Sequence, residues 1–343
     1  MADLRIAVVA DDLTGALDAV APFANAGLRC VVATGPSHLA AALAQAADIL
    51  AVSTGSRELA EESAIAVSQL VAEMLAGVPQ VIKKIDSRLK GHVGAEVAVL
   101  ARLRGLDNVL ICPAIPEMGR IVSGGLLRGI GVAQPVRVAD SLSNYPWLQV
   151  QVPDAKTDLQ IDDMLAVAGG DTLLVGARGL TASLARRMAA GRQVPGLALP
   201  HPVGFAIGSR DPITLAQVED LRRVFPDAVY LAAPNGVGVG PTGGEIRIMQ
   251  AVPGAVPCDP AAAAAALADG FVRQIVPGCA SLVLTGGETA AAVLDRMQIG
   301  VLRVLGEAEP GLPLCQPLDF PDAPLILTKS GGFGAYDVLS RLI

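Results

Sequence analysis

Short, nearly uninterrupted apolar runs alternate along the chain with longer segments of helical period. Arg5 to Ala10 is the first such run, and it ends abruptly on Asp11 and Asp12. A helix is predicted from Thr14 to Asn25, with Gly27 as its stop signal, and Arg29 to Ala33 reads as the next strand. The order then repeats: a strand over Asp48 to Ser53, a helix over Glu58 to Leu75, a strand over Gln80 to Ile85, a helix over Ala95 to Arg104 and a strand over Asn108 to Cys112. Strands that read as continuous hydrophobic runs are covered on both faces, so the alternation predicts a mostly parallel sheet flanked by helices.

The pattern loosens between Gly119 and Pro153, where Ile121 to Gln134 reads as a hairpin-like excursion. It returns with a helix near Thr157 to Ala168, a strand over Thr172 to Val175 and a helix near Leu180 to Ala190. The proline-rich stretch Arg192 to Pro202 reads as a linker. A second α/β series follows: a strand over Gly204 to Ile207, a helix over Thr214 to Val224 opened by a Thr214/Gln217 capping box, and a strand over Ala228 to Ala232. Asp259 and Pro260 occupy the N-cap and first position of an alanine-rich helix, Ala261 to Val276. Ser281 to Thr285 and Leu325 to Thr328 are the last strands predicted. The expected architecture is two α/β domains, 1–195 and 203–343, each a mostly parallel sheet with flanking helices, with the active site in the cleft between them.

Composition narrows what such a chain does. Hydrophobic residues make up 52% and charged ones 17%, which is ample for two cores, and the net charge is −7. That balance argues against a nucleic-acid partner, which needs a concentrated basic face. Small anionic substrates stay open, because a few local cations suffice for them. The five cysteines are odd in number and form no CxxC pair, and the three histidines lack metal-ligand spacing, so no protein-built metal site is expected. No run reaches the length of a membrane span, and the N-terminus lacks a leader's basic start and apolar centre; the cytoplasm is the expected location. A homodimer is compatible with the sequence but not required by it.

The chemistry-bearing residues gather at the predicted strand ends, where open α/β sheets bind ligands. In the second half, SLVLTGGETAAAVL is a strand, a glycine turn and a helix: Gly286 and Gly287 admit an anion to backbone N–H groups, and Thr289 begins a helix whose N-terminus favours phosphate. LILTKSGGFGAYDVL repeats the arrangement with Lys329, Gly331 and Gly332, and AIGSRDPITLAQ adds Ser209. One such turn is equally a tight βα connection; three in one domain point to a nucleotide. No GxxxxGK[ST] loop, protein-kinase signature or dinucleotide fingerprint is present. In the first half, Asp11 and Asp12 exceed what a single helix cap needs, and they suit binding of substrate hydroxyls, help with Mg²⁺, or general-base work on a hydroxyl. Lys83 and Lys84 lie in an otherwise apolar strand, and the pleat allows only one of them to face the site. Lys84 shares its parity with Asp86, which is followed by Ser87. Arg57 and Arg120 are candidate guanidiniums for a substrate carboxylate.

Taken together, ADDLTGALD, KKIDSRLKGHVGAE, CPAIPEMGR, LLVGARGL, GSRDPITLAQ, LTGGETAAAVL and EPGLP followed by TKSGGFGAYDVL resemble, in order, the four-carbon acid sugar kinase family. The resemblance implies an N-terminal sugar-acid domain, a C-terminal nucleotide domain, ATP as donor and Mg²⁺ bridging its phosphates. It further implies acceptors such as threonate, erythronate or 3-oxo-tetronate. Nucleotide contacts would fall on Ser209, Gly286, Gly287, Glu288, Thr289 and Gly331. Substrate contacts would fall on Asp11 and Asp12, Arg57, the segment from Lys84 to Gly91, and Arg120. The chain departs from the family where DSTLRG is usual: it carries Asp86-Ser87-Arg88-Leu89-Lys90-Gly91, and its segment after Gly129 is short.

The expected reaction is in-line transfer to a substrate hydroxyl, governed by positioning and charge neutralisation. Asp12 or Asp86 would orient or deprotonate the hydroxyl, and Lys84 or Lys329 would balance developing charge. A nucleotide- and metabolite-binding sensor without turnover is the alternative, told apart by acid-dependent ATP consumption. An NAD-dependent dehydrogenase lacks its fingerprint here.

Overall fold

The computed structural model describes residues 4–189, 197–240 and 243–343, and the chain divides into two units at residues 1–194 and 195–343. Residues 192–196 of the predicted linker lie outside the described residues.

In the first unit the apolar runs become β1 (Ile6–Ala10), β2 (Cys30–Ala33), β3 (Ile49–Ser53), β4 (Gln80–Lys84), β5 (Asn108–Cys112), β9 (Gln149–Gln151) and β10 (Thr172–Gly176). They pair in the order β2-β3-β1-β4-β10-β5-β9, every pairing parallel. Their connections are α1 (Leu13–Asn25), α2 (Leu39–Leu43), α3 (Glu61–Met74), α4 (Val93–Arg104), α5 (Asp158–Val167) and α6 (Arg178–Met188). α1 packs as closely as it does because its inward face is small: Ala16, Ala19 and Val20 are fully buried. The predicted excursion is a separate antiparallel sheet of β6 (Arg120–Ser123), β7 (Leu126–Gly129) and β8 (Val136–Arg137).

The second unit contains β11 (Val203–Ile207), α7 (Pro212–Val224), β12 (Val229–Pro234), β13 (Ile246–Val252), α8 (Pro260–Gln274), β14 (Ser281–Thr285), α9 (Gly287–Arg296), β15 (Val301–Glu309), β16 (Leu312–Pro317), β17 (Leu325–Lys329) and α10 (Val338–Arg341). The strand order is β12-β13-β11-β14-β17-β16-β15; pairings are parallel up to β17 and antiparallel from β17 through β16 to β15. Phe205, Ile207, Val218, Leu221, Val283, Leu314 and Leu327 form its core.

Two local readings of the sequence change. The cap of α7 is Asp211, whose carboxylate accepts from Ile213 N at 2.9 Å with Pro212 in the first turn, not the Thr214/Gln217 box. The last strands are not only β14 and β17: β13 precedes them, and β15 and β16 form a hairpin between them. Pro310-Gly311 is that hairpin's turn, and Gly311 N donates to Glu307 Oε1 at 2.7 Å. α8 begins as predicted, with the Asp259 carboxylate accepting from Ala262 N.

Candidate active site

Register fixes which loops meet. In the first unit Ser53, Ala10, Lys84 and Gly176 lie side by side as the last paired residues of adjacent parallel strands. The loops that leave them carry Thr54 to Arg57, Asp11 and Asp12, and Asp86 to Gly91. All emerge at the carboxyl end of the sheet, where the order reverses around β1, the position at which such sheets bind ligands.

The centre of this cluster is ionic. Asp11 is 2% exposed, and its two oxygens accept from Arg57 Nε at 2.7 Å and Nη2 at 2.8 Å. Arg57 Nη1 donates to Asp12 Oδ2 at 2.8 Å. Burial alone would raise the Asp11 pKa, but the Arg57 hydrogen bonds and the charges of Lys83, Arg57 and Lys84 outweigh it, so the carboxyl sits below its ordinary range. Burial works against Arg57 as well; Asp11, Asp12 and Asp86 offset it and raise the guanidinium pKa. Asp12 also caps α1, accepting from Gly15 N at 2.8 Å and Thr14 Oγ1 at 2.8 Å. Gly91, at φ +82°, leaves room for this cluster: a Cβ there would stand 3.0 Å from Asp11 Oδ2.

The paired lysines divide as the pleat requires. Lys83 is fully buried and forms an ion pair with Glu96 of α4 at 2.6 Å; the other oxygen of Glu96 takes Ser56 Oγ, which is 2.7 Å from Thr54 Oγ1. Lys84 turns to the strand-end side, where its Nζ lies 3.2 Å from the position of a Cβ on Gly15, next to the Asp12 cap. Asp86 closes a turn by accepting from Arg88 N at 2.8 Å and Lys90 N at 3.4 Å. Arg120 Nη1 donates to Ser87 Oγ at 2.6 Å. Asp11, Asp12, Arg57, Lys84, Asp86, Ser87, Gly91 and Arg120 therefore border one strand-end surface.

Two residues given no role in the sequence hold it in place. Glu96 was visible only as the end of GHVGAE. Arg178, in the stretch VGARGL, is 5% exposed and ties α6 to Glu117 Oε1 at 2.9 Å and to Asp18 Oδ1 at 3.2 Å. It thereby fixes the turn that precedes Arg120. An arginine just after the predicted strand Thr172 to Val175 was the available signal.

In the second unit Ile207, Thr285 and Lys329 are in register, so three loops leave β11, β14 and β17 side by side. They touch through glycines. A Cβ on Gly331 would meet Ser209 Oγ at 2.5 Å, one on Gly332 would meet Asp211 Oδ2 at 3.0 Å, and one on Gly208 would overlap Thr289 Oγ1. Gly286 caps α9 at φ +93°, a conformation open to glycine, and Gly287, Glu288 and Thr289 form the first turn with its free N–H groups. The result is a cradle of backbone donors suited to phosphate.

Lys329 does not line the outer face of this cradle. It is fully buried and donates to Thr214 Oγ1 at 3.2 Å, Ser330 O at 3.0 Å and Gly331 O at 2.9 Å. Burial pushes its pKa down to about 8, partly opposed by Asp211. Thr214 Oγ1 donates to Gly331 O at 2.5 Å, and Gln217 Nε2 donates to Phe333 O and Ala335 O at 2.9 Å each. The two residues read as a capping box thus grip the last glycine loop from beneath. Among the described residues, no three His, Cys, Asp or Glu side chains converge to hold a metal, and no helix is long and apolar enough to cross a membrane.

Two family models match the chain. Residues 6–143 match a sugar-binding N-terminal domain and residues 245–339 a nucleotide-binding C-terminal domain. The chain is 31% identical to the D-threonate kinase of Bordetella bronchiseptica, covering 98% of this chain and 96% of that protein. It is 29% identical to the 3-oxo-tetronate kinase of Methylobacterium radiotolerans over 99% of each. Among solved structures, a Salmonella typhimurium protein described as a putative tRNA synthase superposes with a TM-score of 0.76 at 18% identity over 99% of this chain and 98% of that one. A Haemophilus influenzae protein does so with a TM-score of 0.72 at 20% identity over 98% of each. These two show a shared fold. The sequence relatives, which run the full length, show that the chain belongs to the four-carbon acid sugar kinase family.

Proposed function

We propose that the protein transfers the γ-phosphoryl group of ATP to a hydroxyl of a four-carbon sugar acid of the threonate, erythronate or 3-oxo-tetronate type. The observation that carries this reading is the in-register meeting of the Ser209, Gly286 and Gly331 loops, a glycine-lined cradle suited to phosphate, in the same chain as a strand end that gathers charged side chains. The names of the full-length relatives support the acceptor class.

Asp86 is the better base of the two aspartates. Asp12 is committed three times over, to Arg57, Thr14 and Gly15, whereas only Oδ1 of Asp86 is engaged, by backbone N–H groups. Lys84 stands beside the Asp12 cap as the cation available to developing charge; Lys329 spends its donors inside the cradle. Ser209 and the N–H groups of Gly287 to Thr289 would hold the phosphates. Among the described residues, Asp211 and Glu288 are the carboxylates at the cradle, and they would hold a Mg²⁺ that arrives with the nucleotide, an ion that needs one or two carboxylates besides phosphate and water. When bound it would neutralise phosphate charge.

A coupled ATP-consumption assay with Mg²⁺ against a panel of four-carbon sugar acids tests the reading. Turnover with at least one acid is expected, and Asp86→Asn, which can keep the turn, should lower kcat about 100-fold or more while sparing ATP binding. ATP bound but consumed with none of the acids would reject the kinase assignment; near-normal turnover of Asp86→Asn would remove Asp86 from the role of base.

A further inference from the structure

The guanidinium nearest the aspartate pair is not free for substrate. Arg57 delivers Nε and Nη2 to Asp11 and Nη1 to Asp12. Arg120 is placed differently. Its Nε donates to the Ile130 carbonyl at 2.8 Å and its Nη1 to Ser87 Oγ at 2.6 Å, which fixes the plane of the group. Its Nη2 has no hydrogen-bond partner among the described residues.

Arg88 borders the same small volume. A Cβ built on Gly131 would stand 3.4 Å from Arg120 Nη2 and 3.9 Å from Arg88 Nη1. Burial and the like charge of Arg88 both act against the protonated form of Arg120, with Asp86 partly opposing them. The Arg88 guanidinium forms no hydrogen bond or ion pair among the described residues. Its backbone is nonetheless fixed, because Asp86 Oδ1 accepts from Arg88 N at 2.8 Å. The next residue, Leu89, is held at φ +62°, an unfavourable conformation for leucine that the turn must enforce. A rigid turn thus holds a second cation against a first. Both guanidiniums border the one small volume beside Gly131, and a carboxylate, with two acceptor oxygens, is the anion that can take donors from each.

We propose that Arg88 and Arg120 form a two-guanidinium clamp for the carboxylate of a short hydroxy acid, which makes Arg88 a specificity-determining residue that selects acids over neutral polyols. The identity of the acid rests on the kinase reading; the clamp itself is a binding property and can be tested without ATP.

The test is calorimetric titration of the full chain with threonate, erythronate and 3-oxo-tetronate, and with the neutral polyol threitol, for the parent, Arg88→Thr and Arg88→Lys. Arg88→Thr should weaken binding of the preferred acid about 10- to 100-fold, the loss of one charge-assisted pair of hydrogen bonds, and Arg88→Lys should recover part of it. Threitol should bind weakly and equally to all three. The unfolding midpoint and ATP affinity should stay at parental values, which a merely structural role for Arg88 would not allow. Parental acid affinity in Arg88→Thr overturns the clamp, even if the kinase reading stands. Acid binding that depends on Arg88 but gives no ATP turnover upholds the clamp and rejects the kinase reading. Failure of all three acids to bind the parent rejects both.

Discussion

The two strand-end sites are built from opposite materials. In the first unit the site is made of side-chain charge: Asp11 and Asp12 share the guanidinium of Arg57, and Lys83 pairs with Glu96 in the buried layer behind. In the second unit the ligand-facing surface is backbone, opened by Gly286, Gly331 and Gly332, and the side chains that matter sit beneath it. The difference follows from what each would bind. A sugar acid offers hydroxyls in a particular arrangement, which fixed carboxylates and guanidiniums can recognise. A polyphosphate offers many equivalent oxygens, for which oriented N–H groups suffice.

The contrast predicts where damage goes. Arg57→Ala has the largest expected effect, because it leaves a buried Asp11 unpaired, at a cost of about 3–5 kcal/mol. Urea unfolding should show an early transition of the first unit with the second unit's transition unmoved; a parental first transition would mean the network is not structural. Gly286→Ala comes next: an alanine at φ +93° costs about 1–3 kcal/mol and narrows the cradle. ATP affinity should fall while acid affinity holds, and calorimetry with each ligand decides it.

Lys329 gives a smaller, pH-dependent signal. Its folded pKa of about 8 is below the ordinary 10.5, so between those values the unfolded chain binds more protons. This lysine therefore costs stability at neutral pH, and the cost is relieved as pH rises from about 8 to 10.5. The urea midpoint of the second unit should improve relative to Lys329→Met by about 1–2 kcal/mol between pH 7.5 and 9.5. A pH-independent difference would show that the lysine is not desolvated. The smallest change is Thr214→Val, about 1 kcal/mol, because it removes the hydrogen bond to the Gly331 carbonyl and only the longest of the three acceptors of Lys329, read as a few-fold weakening of ATP binding.

Legibility in the sequence followed the same contrast. The alternating runs exposed the parallel strands, and the period of two separated Lys84 from Lys83 before any coordinates. The glycine turns were readable because a side chain would strain the backbone at Gly286 and collide with Ser209 or Asp211 at Gly331 and Gly332. Two kinds of information were not local. Thr214 and Gln217 fitted a capping pattern, yet Asp211-Pro212 caps more strongly, and their real partners lie more than a hundred positions away. The β15–β16 hairpin was hidden because its strands carry glycine, proline and glutamate, which depress strand propensity, and antiparallel pairing compensates only in the folded sheet. Arg57 was expected at a carboxylate and is found at one, but the carboxylates are the chain's own.

The division of labour is tested most directly by crossed kinetics on Gly286→Ala and Arg120→Lys with one accepted acid. Gly286→Ala should raise the KM for ATP about 10-fold with the acid KM within about 2-fold of parent, and Arg120→Lys should do the reverse. Equal movement of both constants in either variant would contradict an acid site and a nucleotide site built separately in the two halves of the chain.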